Sequence, residues 1–172
     1  EEQIARLDEL GFDWDPIATR WEEGYQALVV YREQHGDCLV RPKKGGLTSQ
    51  GNNLGVWVIK QRAAYKKGKL TAAQIARLES LDFDWDPDAT RWEDGYQALV
   101  AYREKHGDCL VSKERGNLTS QGNDLGGWVI KQRAAYKKGQ LTEEQIARLE
   151  LLGFDWDPDA TRWEDGYQAL VA

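Results

Sequence analysis

The chain is poor in the features that organise secreted and membrane proteins. It has only two cysteines, and no apolar run approaches the roughly 20 residues needed to span a bilayer. The cysteines occupy equivalent positions of a repeat, so we expect no disulfide framework. The first residues, Glu1-Glu2-Gln3, are not those of a signal peptide. We therefore expect an intracellular protein, in the cytoplasm, the nucleoid or the nucleus, with no membrane partner.

Residues suited to catalysis or metal binding are also scarce. The sequence has no Gly-Lys-Thr/Ser loop to cradle a nucleotide phosphate, and 172 residues are too few for the two lobes of a helicase motor. The candidate nucleophiles Ser49 and Ser120 fall in predicted loops. His35-x-x-Cys38 and its copy 71 residues later each offer two ligands, whereas a structural zinc site has four. We predict no enzyme, no metal site and no cofactor.

Eight tryptophans are present, and their spacing identifies an internal repeat. Trp14, Trp85 and Trp156 are separated by 71 residues, and about sixteen positions differ between the two full copies. We expect the chain to begin and end inside an array. The predicted parts are the last helix of a preceding repeat (1–13), two full repeats (14–84 and 85–155) and the first helix of a following repeat (156–172).

Helix start and stop signals recur in each copy. In the second copy Asp86-Pro87 supplies an N-cap and a first-turn proline, and Gly107 follows the first helix, with a histidine in its last turn. Asp124, which is Asn53 in the first copy, is a second N-cap. The helix that it opens stops at Gly139.

A third helix completes the repeat. It opens with Thr142-Glu143-Glu144-Gln145, a capping box. The stretch Cys109-Leu110-Val111, between the first two helices, is expected to be extended, with its cysteine as a small buried apolar residue. We predict an all-α fold of tandem three-helix bundles with a 71-residue repeat, whose cores are filled by Trp14, Trp21, Trp57 and their equivalents.

The net charge of −6 conceals a separation of charge along the chain. The window 41–69 has eight basic residues and no acidic ones, and the equivalent window 112–140 has six basic and two acidic residues. Each window covers the loop and the second helix of a repeat. Such a basic cluster can attract phosphate whatever the sign of the whole chain. A plain solvated helix face is the alternative.

The second helix has one side that we expect to face solvent. Helical spacing places Val56, Lys60, Ala63 and Lys67 on that side, opposite the apolar residues. The turn between the second and third helices resembles a helix-turn-helix, in which the later helix enters the DNA groove. The third helix here carries acidic residues that phosphate would repel. The second helix is therefore the better candidate for contacting DNA.

The loop before the second helix is another candidate for binding phosphate. Its sequence is Gly45-Gly46-Leu47-Thr48-Ser49-Gln50-Gly51-Asn52. We expect it to present free backbone N–H groups and hydroxyls at a helix N-terminus, an arrangement that favours anions. A plain flexible loop is the alternative.

These motifs together resemble the helicase-associated domain, a short repeat found in several copies in bacterial helicase-like proteins. The first copy carries the pattern from Trp21 to Asp86, with Asp82 where the pattern has glycine. The resemblance implies three helices per repeat, a role in binding nucleic acid, and a helicase motor elsewhere in the parent chain as a partner. The matching residues of the second copy are Trp92, Tyr96, Leu99, Tyr102, His106 to Val111, Leu125 to Val129, Gln132-Arg133, Tyr136 to Thr142, and Leu152 to Asp157.

We therefore predict a non-enzymatic DNA-binding repeat module that favours duplex over single-stranded DNA. Phosphate contacts would make its affinity salt-sensitive. Gln61 and Gln132 could read a base edge if exposed, or be satisfied inside the bundle. The alternative is a protein-interaction scaffold, a common role of repeat proteins. The predicted contact residues are Lys43, Lys44, Lys60, Gln61, Arg62, Lys66 and Lys67 in the first repeat, and Lys113, Arg115, Lys131, Gln132, Arg133, Lys137 and Lys138 in the second.

Overall fold

The computed structural model describes residues 2–41, 46–111 and 117–171. These residues are all-helical, as predicted, and form two compact units, Glu1–Pro87 and Asp88–Ala172. Each unit contains one complete set of three helices, α2 to α4 or α5 to α7. The helices of the described residues are α1 (Glu2–Glu9), α2 (Pro16–His35), α3 (Leu54–Lys66), α4 (Ala72–Glu79), α5 (Pro87–His106), α6 (Leu125–Lys137), α7 (Glu143–Leu151) and α8 (Pro158–Val171).

The first helix of a repeat begins and ends at its predicted caps. The side chain of Asp15 accepts a hydrogen bond from the Ala18 N–H at 3.0 Å, and Pro16 follows it. Gly36 closes α2 in the left-handed conformation, with a φ of 82°. One ring nitrogen of His35 lies 2.9 Å from the Tyr31 carbonyl oxygen, so the histidine supplements the helix end as predicted.

The second and third helices are capped as the sequence predicts. Asn53 accepts from the Val56 N–H at 3.1 Å, and Asp124 accepts from the N–H groups of two successive glycines. Thr71 and Gln74 form a reciprocal capping box at the start of α4. The equivalent residues do the same at α7. Capping residues in the local sequence therefore determine where the three helices of each repeat begin and end.

The stretch predicted to be extended lies outside the helices but forms no strand among the described residues. Cys109 is buried there, and its thiol donates to the Leu152 carbonyl oxygen at 3.4 Å. Burial raises the pKa of this thiol, as it does for Cys38. Both cysteines are free, and both are small buried apolar residues, as predicted.

Each unit has its own apolar core. Leu28, Val58 and Leu78 are fully buried at the centre of the first, and their equivalents in α5 to α7 occupy the centre of the second. Trp21 and Trp57 pack against the first core as predicted. Trp14 does not fill a core, since 56% of it is exposed; it contacts Phe12 edge-on and donates to Asp8.

Candidate nucleic-acid interface

Gln61 and Gln132 are core residues, although they lie on the predicted interface helix. Gln61 is 7% exposed, and its side-chain oxygen accepts the indole N–H of Trp21 at 3.0 Å. Gln132 is equally buried and accepts from Trp92 at the same distance. The sequence left two alternatives for these glutamines, and the structure places both inside the bundle. Neither can reach a base edge without breaking the core.

Arg62 and Arg133 connect the second helix to the segment that follows the third helix. Arg62 donates through Nε to the Asp84 carbonyl oxygen at 2.9 Å, and its guanidinium lies over the Phe83 ring. Arg133 makes the same two contacts, with Asp155 and Phe154. Burial lowers the pKa of Arg133 from its ordinary value. Both arginines are half-buried structural residues, so their role in the fold competes with the predicted DNA contact.

Lys66 and Lys137 lie on the surface beside acidic partners. The Lys66 ammonium is 3.5 Å from a carboxylate oxygen of Asp86, and the Lys137 ammonium is 3.7 Å from one of Asp157. More than half of each of these four side chains is exposed. Exposed pairs of this kind contribute about 1 kcal/mol or less to stability. Both lysines can therefore exchange a carboxylate for another anion at low cost.

The remaining cations of the second helix and its C-cap are exposed and carry no ion pair with a described residue. They are Lys60 and Lys67 in the first repeat and Lys131 and Lys138 in the second. Val56 is 42% exposed and Ala63 is exposed beside the first pair, so the side predicted to face solvent does so. Neither α3 nor α6 contains an acidic residue that could neutralise these lysines.

The loop before α3 differs from its prediction. The N–H groups of Thr48 and Gly51 are hydrogen-bonded within the loop, and the Asn52 N–H donates to the Thr48 hydroxyl at 3.2 Å. Thr48 itself is buried. The expectation of free N–H groups is wrong at these three residues, because the loop folds back on itself to close a tight turn.

Four predicted contact residues fall outside the described parts of the chain. They are Lys43 and Lys44 in the first repeat and Lys113 and Arg115 in the second. Their role stays a prediction from the sequence. The structure brings together, on one helix surface of each repeat, only the lysines of α3 or α6 and of their C-caps.

An open groove of about 860 Å³ lies beside this surface in the first repeat. It is bordered by the N-terminal ends of α2, α3 and α4 and by the loop before α3, and Lys60 lines it. Arg20 lines it as well, although the charge pattern of the sequence did not single out this residue. A comparison of the two copies could have identified Arg20. Its equivalent, Arg91, follows Asp88 at a salt-bridge spacing, whereas Arg20 follows Ile17 at the same spacing.

The described residues contain neither a group of three potential metal ligands nor a helix long and apolar enough to cross a membrane. A search of curated proteins and a search of solved structures each returned no match. The family model of the Helicase associated domain matches the chain twice in tandem, at residues 18–86 and 89–157. The two matches cover most of the chain, which therefore belongs to the helicase-associated domain family.

Proposed function

We propose that this chain is a non-enzymatic DNA-binding module that contacts backbone phosphates through the exposed lysines of its second helices. The observation that carries the proposal is that four exposed lysines form no ion pair with a described residue. They are Lys60, Lys67, Lys131 and Lys138. Neither α3 nor α6 contains a carboxylate that could neutralise these lysines. A phosphate backbone would supply the missing negative charge.

The character of the contact follows from what these helices expose. Gln61 and Gln132 bond to indole N–H groups inside the core, so the exposed surface of α3 offers lysines beside apolar and aromatic side chains such as Ile59 and Tyr65. Lysine binds phosphate as a point charge, without the paired geometry that reads a base. We therefore expect binding that depends weakly on sequence and strongly on salt. A duplex, with its higher charge density, should bind more tightly than a single strand.

The family description associates this domain with helicases. We extend the proposal to a division of labour, in which a motor elsewhere in the parent protein performs the enzymatic work. The module would then hold the DNA near that motor.

The test is a fluorescence-anisotropy titration of labelled duplex DNA at several salt concentrations. A variant that carries Lys→Gln at positions 60, 67, 131 and 138 keeps much of the side-chain length and removes four charges. The control carries Arg→Gln at 6, 103 and 162 and Lys→Gln at 105, exposed positions outside the second helices with the same total change in charge.

We expect the second-helix variant to lose most of its affinity. Its salt dependence should fall by up to about 0.9 in logarithmic slope for each phosphate that it no longer neutralises. The control should bind nearly as the unchanged protein does. Equal losses in both variants would indicate a nonspecific charge effect and overturn the assignment of the surface. No binding to duplex at low salt, by protein that remains folded, would overturn the function itself.

A protein-interaction scaffold is the second candidate, because Lys66 and Lys137 lie beside carboxylates as that function predicts. These two ion pairs are exposed and screened by solvent, so they are weaker support for a scaffold than the four lysines without such a partner are for DNA binding. A folded protein that does not bind DNA in the titration would favour the scaffold function.

A further inference from the structure

The two repeats differ at three of the positions that line the groove of the first repeat. Fifteen residues line the groove of the first repeat, and the second repeat has the same residue at twelve of the equivalent positions. The three exceptions are Ile17, Asn53 and Val56, which are replaced by Asp88, Asp124 and Gly127. Two of the three replacements introduce a carboxylate, so the second repeat is the more acidic at this place.

The replacement at Ile17 determines whether the neighbouring arginine has an ion-pair partner. In the second repeat the Asp88 carboxylate lies 2.7 Å from the Arg91 guanidinium, one helical turn away. In the first repeat Ile17 holds the equivalent position, and Arg20 is exposed and forms no ion pair with a described residue. Arg20 is therefore available to a ligand in the groove.

The second carboxylate comes with a local rearrangement of the cap. Asp124 accepts from both Gly126 and Gly127, and a Cβ at Gly127 would lie 2.7 Å from its Oδ2 atom. That oxygen is the end of a flexible side chain and can turn aside, and Asn53 accepts from the Val56 N–H at 3.1 Å with a Cβ present. The groove of the first repeat keeps two basic side chains, Arg20 and Lys60, against a single acidic one, Asp15.

The chemistry of the groove favours an anion over a stacked ring. Trp21 borders it, but its N–H is bonded to Gln61 and its ring packs against Tyr25 and Arg77. The Trp57 ring fills the space above Gly24. The cap side chains of α2, α3 and α4 already occupy N–H groups in the first turns of those helices. The positively charged groups that line the groove are Arg20 and Lys60.

From these differences we propose that the groove of the first repeat binds a phosphate of the DNA backbone between Arg20 and Lys60, and that the second repeat lacks this binding site. The inference rests on the proposed function, since Lys60 belongs to both surfaces. It adds Arg20 to the interface and makes the two repeats unequal partners of the same DNA.

The experiment exchanges the acidic and neutral residues of these positions between the two repeats without touching any lysine. Ile17→Asp with Asn53→Asp gives the first repeat the acids of the second, and Asp88→Ile with Asp124→Asn does the reverse. Each cap position keeps a good N-cap residue, so folding should be preserved. The charge control is Gln3→Glu with Gln34→Glu, both exposed; Gln34 lies about 25 Å along α2 from Ile17 at 1.5 Å per residue.

Duplex affinity is measured at two salt concentrations for all four proteins. We expect I17D/N53D to weaken binding by about three- to tenfold and to reduce the salt dependence, because Arg20 then pairs with a carboxylate instead of phosphate. D88I/D124N should strengthen binding, and the control should change it little. If I17D/N53D binds duplex as the unchanged protein does, the groove assignment is overturned while the proposed function stands. If the unchanged protein does not bind duplex, both are overturned.

A parallel titration with inorganic phosphate, followed by tryptophan fluorescence, separates the DNA backbone from a free anion. Duplex should displace phosphate from the groove. Tight phosphate binding that duplex cannot displace would assign the groove to a free anion and overturn the DNA assignment.

Discussion

The same fourteen residues, from proline to valine, form α8 and the first part of α5, in different surroundings. In α5, Leu99 is fully buried and Trp92 packs against the core. In α8 the equivalent Leu170 is 86% exposed and Trp163 is 68% exposed. Both segments are helical, because the local signals are identical. Burial differs because, within the part of the chain that the structure describes, α5 has a second and a third helix packed on it and α8 does not.

The difference between α5 and α8 separates side chains that serve the fold from those that remain for function. Two aromatic side chains of α5 have hydrogen-bond partners on other helices: Trp92 donates to Gln132, and Tyr96 donates to the Arg148 carbonyl oxygen. The tryptophan richness of the chain is thereby explained largely by packing. The surface of the second helix keeps a set of lysines beside exposed apolar residues such as Ile59, and the functional proposal depends on the lysines.

The largest expected difference between the two helices concerns the buried leucine. Leu99→Ala should lower the free energy of unfolding by about 2–5 kcal/mol, because it leaves a cavity in a closed core. Leu170→Ala should change it by less than about 0.5 kcal/mol, as is usual for an exposed position. Urea denaturation measures both. Equal effects would mean that α8 is packed in solution as α5 is.

The glycine shared by the two helices should give the next largest difference. A Cβ at Gly95 would overlap the indole of Trp128, whereas a Cβ at Gly166 meets nothing within 4 Å. Gly95→Ala should therefore destabilise the protein by about 1–3 kcal/mol through overpacking. Gly166→Ala should be neutral, or stabilising by up to about 1 kcal/mol from helix propensity. Thermal unfolding of the two variants distinguishes these signs, and a stabilising Gly95→Ala would refute the close contact.

The smallest expected difference is a pH effect at the shared glutamate. Hydrogen bonds from the Arg148 guanidinium and from Gln97 lower the pKa of Glu93 to about 2. The carboxylate therefore contributes stability that is fully present above about pH 4.5 and is lost as the pH falls towards 2. Because 46% of its side chain is exposed, solvent limits this contribution to about 1 kcal/mol or less.

Glu93→Gln should flatten the dependence of stability on pH between about 4.5 and 2, in urea titrations at several pH values. Glu164→Gln is the matched change in α8, where the carboxylate accepts from Gln168 but has no arginine partner among the described residues. It should leave the pH dependence unchanged. If both variants flatten the curve equally, the arginine is not the cause.

Much of the fold could be predicted from the sequence, because its signals are local. Asp15, Asn53 and Thr71 cap helices through bonds to residues three positions away, and such bonds depend on little else. The apolar period likewise identified the buried side of α3. The exposure of Trp14 was missed, because a tryptophan is buried only where other helices cover it.

The candidate site was less predictable, because charge alone does not indicate what a side chain contacts. Arg62 and Lys60 lie on one basic helix, yet Arg62 reaches a carbonyl 22 residues away while Lys60 stays in solvent. Gln61 bonds a tryptophan 40 residues away. Contacts between residues so distant in sequence leave no periodic pattern in it. Arg20 was missed for a different reason. The feature that distinguishes it is at another position, where Ile17 replaces the acidic residue that pairs with the equivalent arginine of the second copy.

A lysine footprint of the protein on duplex DNA tests the contact through the second helices directly. An amine-acylating reagent is applied at low extent, with and without duplex, and the modification of each lysine is measured by mass spectrometry. We predict that DNA protects Lys60, Lys67, Lys131 and Lys138 and leaves Lys105, at the end of α5, as reactive as before. Protection of Lys105 equal to that of the second-helix lysines, or no protection under conditions where the complex forms, would show that DNA does not bind through the second helices.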